Sequence, residues 1–263
     1  MARRTIGGLR AIVTGASSGI GRALVIELIR QGASVVALAR RAERLQELQS
    51  LVADTSRYRW VVGDVTRRGD RATALALANG EFGGLDALVN NAGVGALGRF
   101  DQADEARLRQ IFEVNFFAPA EFTREALPLL TAGQRPIVVN VGSVLGHRAV
   151  PSKSEYCASK FALRGLSDAL RIELAQVGID VLLVSPSTTQ SEFFEVAHSA
   201  GQERHGGRSL QRGMPAETVA RRTVAAMRAG RREVILSAGG RLLVWLDRLC
   251  PPLADWLIAR WLA

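Results

Sequence analysis

The sequence predicts a doubly wound α/β fold, a parallel β-sheet with helices on both faces. Three observations predict it. Short apolar runs alternate with longer amphipathic stretches along most of the 263 residues. The runs are apolar at successive positions, the pattern of strands covered on both faces. The first run also passes through a glycine-rich turn directly into a helical pattern.

The elements follow in order. Residues 9–14 read as a strand, and residues 20–31 carry Ile20, Leu24 and Leu28 at helical spacing. Residues 34–39 form a second buried strand, followed by a charged helix over about 42–53. A third strand begins at Trp60, residues 67–81 read as helix, and residues 85–89 form a fourth strand. A long helical stretch spans about 104–130. Residues 137–141 are a fifth strand, 155–176 a long helix, and 179–184 a sixth strand. No repeat or low-complexity linker interrupts this order, so residues 1–240 are expected to form one domain. Residues 187–214 are polar and contain Gly201, Gly206, Gly207 and Gly213. So long a connection reads as a substrate lid.

Composition narrows the function. About half of the chain is hydrophobic and the net charge is +9. The basic residues are almost all arginine, with Lys153 and Lys160 the only lysines. Either the charge serves an anionic partner or it reflects a general bias towards arginine. No block of like charges suggests a nucleic-acid tail, and no nucleic-acid partner is expected. Cys157 and Cys250 stand apart, and His147, His198 and His205 form no zinc pattern, so no metal site is expected. No signal peptide and no ordinary membrane-spanning helix are expected. A reducing, cytoplasmic compartment fits the two cysteines.

Three groups of residues carry chemistry. The turn Thr14-Gly15-Ala16-Ser17-Ser18-Gly19-Ile20-Gly21 lies between a strand and a helix. Glycines let a backbone approach a pyrophosphate, and a helix N-terminus offers it free N–H groups. A tight connection is the plainer reading. At the end of the second strand, Ala39 stands where an NAD-preferring fold places an acid, and Arg40 and Arg41 follow. A guanidinium suits a ribose 2′-phosphate; a solvated arginine pair is the alternative. The third group is Ser143, Tyr156 and Lys160. The spacing i,i+4 puts Tyr156 and Lys160 on one helix face. An ammonium there is expected to lower the phenol's pKa. The phenol then exchanges a proton with a substrate oxygen, and Ser143 hydrogen-bonds the same oxygen.

With these motifs in order, the sequence resembles the short-chain dehydrogenase/reductase family over about residues 8–190. Asp64, Asn90-Asn-Ala-Gly93 and Asn115 complete the pattern. The resemblance implies a Rossmann-like sheet of about seven strands. It also implies a nicotinamide cofactor, here NADP(H) in preference to NAD(H), and a small carbonyl or alcohol substrate. It places Gly15, Ser17, Ser18, Gly19 and Ile20 at the pyrophosphate, with Arg40 at the 2′-phosphate. Asp64 and Val65 border the adenine, while Asn91, Ala92 and Gly93 lie under a ribose. It assigns Asn115 to a water leading to Lys160, Ser143 to substrate, Tyr156 to acid/base work, and Lys160 to the ribose and to Tyr156. Pro186, Thr189 and Ser191 complete the nicotinamide side, although Ser187 stands where many members have glycine. A homodimer or homotetramer, paired through helices near 104–130 and 155–176, is also implied.

Residues 241–263 read as two short apolar helices around Pro251-Pro252, with Trp245, Trp256 and Trp261. Three readings stay open: a peripheral membrane anchor, a cover for a greasy pocket or partner contact, and plain core. The first two favour a lipophilic substrate. The expected activity is hydride transfer between nicotinamide and a carbonyl or secondary alcohol. The alternative is a weakly catalytic nucleotide-binding or scaffold protein of the same fold.

Overall fold

A computed structural model describes residues 4–190, 193, 198–199 and 213–262. Most of the expected lid and Ser191 lie outside the described residues.

Buried strands and their covering helices alternate as the apolar pattern requires. The first half of the chain contains β1 (Arg10–Thr14), α1 (Gly19–Arg30), β2 (Ser34–Ala39), α2 (Ala42–Gln49), β3 (Tyr58–Val62), α3 (Arg68–Phe82) and β4 (Ala87–Asn90). The second contains α4 (Glu105–Phe112), α5 (Ala118–Thr131), β5 (Ile137–Val141), α6 (Ser154–Glu173), β6 (Asp180–Ser185), α7 (Ala216–Arg228) and β7 (Glu233–Ile235). Two further helices, α8 (Ala238–Leu249) and α9 (Pro251–Leu262), end the chain. The seven strands run in the order β7-β6-β5-β4-β1-β2-β3, and every pairing is parallel. The order reverses beside β1, which opens a crevice at the carboxyl ends of β1 and β4.

Side chains alternate between two cores, as the two-residue period of a strand demands. Ala11 and Val13 of β1, with Val35 and Ala37 of β2, face Leu24 and Leu28 of α1 and Val219 and Val224 of α7. Ile12, Val36 and Leu38 face the other way, onto Ala74 of α3 and Phe122, Ala126 and Leu130 of α5. Each fully buried leucine or phenylalanine contributes about 1.5–3 kcal/mol. At the amino ends of the strands, away from the crevice, charges tie the elements together. Arg4 bonds Asp180 at 3.0 Å and the carbonyls of Arg135, Pro136 and Met227.

The long stretch expected over 104–130 is continuous but irregular. Residues Glu113–Phe117 form a π turn between α4 and α5, and Asn115 sits inside it. Such a turn carries one extra residue and often marks a functional site. The seventh strand, Glu233–Ile235, and α7 lie where the residue pattern had assigned nothing.

Candidate functional site

Two turns at the reversal of the sheet are stitched to one another. The Thr14 hydroxyl donates to the Val89 carbonyl at 3.3 Å and accepts from the Asn91 and Ala92 amides at 2.9 Å each. The Asn91 side chain returns a bond to the Thr14 carbonyl at 2.8 Å. Glycine is required at two points. Gly15 has φ +65°, and a Cβ on Gly21 would lie 2.3 Å from the Gly15 carbonyl oxygen. Helix α1 begins at Gly19, and the side chain of Ser18 before it makes no capping bond. Its first N–H groups therefore point, uncapped, into the crevice. A glycine cradle beneath an uncapped helix N-terminus fits the pyrophosphate of a dinucleotide.

One end of the crevice is framed by the ends of β2 and β3. Arg40 lies at the rim with its side chain 70% exposed and 4.0 Å from the Asp64 carboxylate. Arg41, which the family pattern does not single out, turns inward and donates to the Ser17 hydroxyl at 3.2 Å. Asp64 accepts from the amide and hydroxyl of Thr66, while its own amide donates to Asp70 at 2.7 Å. Val65 lines the same cleft. The Arg-Arg dipeptide was visible in the sequence; which arginine reaches back to the glycine turn was not.

The Ser143, Tyr156 and Lys160 side chains meet at the deep end. Ser143 follows β5 and caps a short turn, accepting from the Leu145 amide at 3.1 Å. Its hydroxyl faces the Tyr156 phenol and favours the phenolate. Tyr156 and Lys160, in the first two turns of α6, are both buried. The Lys160 ammonium donates to the Val141 carbonyl at 3.0 Å and lies 5.8 Å from the centre of the Tyr156 ring.

One expectation is corrected here. Burial pushes the phenol up to about 12, and the Ser143 hydroxyl only partly opposes it. Burial also brings the ammonium down to about 8. Both shifts arise because a dry site disfavours the charged form of either group. Lys160 lies beside the phenol ring, but its ammonium is directed at a main-chain carbonyl.

Asn115 is fully engaged. Its amide donates to the Val94 carbonyl and the Ser159 hydroxyl, both at 3.0 Å, and accepts from the Val94 amide at 2.8 Å. The Ser159 hydroxyl donates to the Tyr156 carbonyl at 2.7 Å, so the π turn braces α6 directly behind the phenol. Arg107 of α4 adds a second brace by gripping Glu155, the neighbour of Tyr156, at 2.7–3.0 Å. Gly93 packs against Asn115 and the Lys160 ammonium. On the far wall, the Pro186 carbonyl accepts from the Val144 amide at 2.9 Å. Thr189 is buried and donates to the Ser187 carbonyl.

The glycine turn, Arg40, Arg41, Asp64, Ser143, Tyr156 and Lys160 line one cleft of about 600 Å³, from Arg40 at one end to Tyr156 at the other, while Asn115, Ser159, Arg107 and Glu155 stand outside its lining. Beyond Tyr156 it is walled by Val94, Leu145, Val150, Phe193 and Leu243, with Lys153 among them. The Phe193 ring meets Tyr156 edge-on at 5.7 Å. These apolar wall residues carry no motif; only their spacing within loops and α8 could have flagged them.

Comparison with known proteins agrees with this geometry. The model of the short chain dehydrogenase family matches residues 10–201. An uncharacterized oxidoreductase of Bacillus subtilis, YxnA, is 32% identical over 95% of this chain and 71% of its own length. The 11-beta-hydroxysteroid dehydrogenase A of Sesamum indicum is 31% identical over 96% of this chain and 75% of its own. Among solved structures, a short-chain dehydrogenase of Streptomyces avermitilis superposes with a TM-score of 0.80 at 31% identity, covering 95% of this chain and 96% of that one. A dehydrogenase/reductase of Burkholderia phymatum, solved in complex with NAD, superposes at 0.85 with 24% identity over 95% and 96%, a likeness of fold.

Proposed function

The chain belongs to the short-chain dehydrogenase family of oxidoreductases, and on that premise we propose that it is an NADP(H)-dependent enzyme acting on a lipophilic carbonyl or secondary alcohol. The observation that carries the proposal is the meeting of Ser143, Tyr156 and Lys160 at the deep end of a cleft that begins at a glycine cradle.

When bound, the nicotinamide supplies hydride donation and acceptance. The chain's residues do the rest. The uncapped start of α1, with Gly15, Ser17, Gly19 and Ile20, holds the pyrophosphate, and Arg40 with Arg41 receives a 2′-phosphate. In reduction, the substrate carbonyl oxygen accepts hydrogen bonds from Ser143 Oγ and Tyr156 Oη. Tyr156 would give its proton to that oxygen when the carbonyl is reduced, leaving an alcohol on the substrate and a phenolate on the chain. A phenol held up near 12 stays protonated across physiological pH, which suits a proton donor. In the reverse direction the phenolate needs a cation beside it. Lys160 supplies one by turning its ammonium from the Val141 carbonyl. Because the Asn115 side chain is engaged, a water leading to Lys160 would be held by main chain in the π turn.

The apolar wall of Val94, Leu145, Val150, Phe193 and Leu243 supports a lipophilic substrate. Exposed Phe117 in the π turn, with Phe161 and Ile172 of α6, supports pairing with a second copy through these helices.

A Tyr156→Phe chain tests the proposal. It should retain cofactor binding, read by quenching of tryptophan emission, and lose turnover of a lipophilic ketone by orders of magnitude. Comparable turnover by this variant would refute the assignment. Equal use of NADH and NADPH, unchanged by Arg40→Ala, would remove the cofactor preference.

A further inference from the structure

The C-terminal helices α8 and α9 form a hairpin whose inner side belongs to the cleft. Gly239, Gly240 and Leu243 line the pocket, and Gly240 sits so tightly on Val144 that a Cβ would come within 2.7 Å of it. The outer side is different. Leu242, Trp245 and Leu249 on α8, and Leu253, Trp256 and Leu257 on α9, are between 42% and 79% exposed. Their spacings, i, i+3, i+7 and i, i+3, i+4, put each set on one face. Of α9's described side chains, Ala254 alone is fully buried.

Charge on the hairpin is sorted. Its two acids, Asp247 and Asp255, both bond the forked guanidinium of Arg148, five residues after Ser143. Its basic residues face outward. Arg248 lies over Trp245 at 5.9 Å and Arg260 over Trp256 at 5.5 Å, and Arg241 is exposed beside Leu242. The outer face is thus apolar and basic, and the exposed acid Asp255 is tied to Arg148. Among the described residues no helix is long and apolar enough to cross a membrane. Apolar side chains mixed with tryptophan and arginine suit the boundary between acyl chains and anionic headgroups. A second copy of the chain would set these arginines against one another.

The geometry points to the α8–α9 hairpin as a docking surface for an anionic bilayer, with Arg148 clamping it over the cleft so that substrate enters from the lipid. The inference rests on the lipophilic substrate proposed above. Because the inner face of α8 lines the pocket, the surface that meets lipid backs onto the cleft that holds Tyr156.

Vesicle flotation of the full chain tests it, with vesicles of phosphatidylcholine alone and with a third of phosphatidylglycerol. The chain should float with the anionic vesicles, with its tryptophan emission shifted to the blue, and should dissociate at about 1 M salt, where screening is nearly complete. Replacing Arg241, Arg248 and Arg260 by Gln should weaken binding on the order of a hundredfold, about fivefold per arginine. Replacing Leu242, Trp245, Leu249 and Trp256 by Ser should abolish it, with turnover of a small water-soluble ketone unchanged. The Tyr156→Phe chain should bind vesicles like the unaltered one, so loss of catalysis and loss of docking are read separately. Failure of the unaltered chain to float with anionic vesicles overturns the inference. So does a serine variant that floats as before while a dimer falls apart, which would make the face a contact between copies.

Discussion

Replacing Lys160 by Met should stabilise the ligand-free protein while removing its turnover. The side chain is 4% exposed, and burial carries its ammonium from 10.5 down to about 8. At neutral pH the fold therefore holds a charge in a place that favours the neutral amine. At about 1.4 kcal/mol per decade, this costs on the order of 3 kcal/mol. Met fills similar space without a charge, but forfeits the bond to the Val141 carbonyl, worth about 1 kcal/mol net. A gain of about 2 kcal/mol remains, or a rise in Tm of roughly 4–8 °C for a chain of this size. The folded-state value lies below the unfolded one, so between about pH 8 and pH 10 the unfolded chain binds more protons. Stability of the unaltered protein therefore rises with pH across that window. Urea denaturation of both proteins from neutral to alkaline pH reads the effect. Subtracting one from the other cancels Lys153, Cys157 and Tyr58, which burial also shifts. The advantage of the variant should shrink as pH rises. A variant less stable at pH 7, or an advantage indifferent to pH, would refute the reasoning.

Arg107→Met should cost about 3–5 kcal/mol, because it strands the buried Glu155 carboxylate. Adding Glu155→Met should recover most of this in thermal melts, and a double variant no better than the single one would deny the pairing. Gly21→Ala should lower cofactor affinity at least about tenfold by pressing a methyl against the Gly15 carbonyl. Gly80→Ala in α3, where nothing stands within 4 Å, should instead stabilise by about 0.5–1 kcal/mol. Unchanged cofactor titration for Gly21→Ala would contradict the close approach. Asp86 is buried, which alone would raise its carboxyl, but bonds from Arg10 and the Gln134 amide hold it below the usual value. Its contribution is present above about pH 4 and lost as pH falls below that. Asp86→Asn should therefore destabilise by about 1–3 kcal/mol at pH 7 and by much less near pH 3, as followed by circular dichroism.

Much of the architecture was legible because the strands are buried on both faces. A run such as Ser34–Ala39 has no competing explanation, and β2 occupies those residues. β7 was not legible, since three residues with a charge at Glu233 make no pattern by themselves; its place comes from pairing with β6. Helix α7 did carry a signal in Val219, Thr223, Val224 and Met227, but Arg221 and Arg222 interrupt it. The candidate site divides in the same way. Ser143, Tyr156 and Lys160 could be named from spacing, yet the direction of the ammonium depends on the Val141 carbonyl, which no motif encodes. The bracing pair Arg107–Glu155 was equally hidden, because its partners are 48 residues apart.

The π turn at Glu113–Phe117 has a consequence for how this chain can change length. The widened turn takes up its extra residue without rotating α5 against α4, so Ile111 and the row Phe122, Ala126 and Leu130 are all seated. Deleting one residue there would let a regular α-helix run through in the same phase, at the expense of the bonds Asn115 makes to Val94 and Ser159. A further one-residue insertion is different: it adds about 100° of rotation and would turn one of the two buried faces towards solvent.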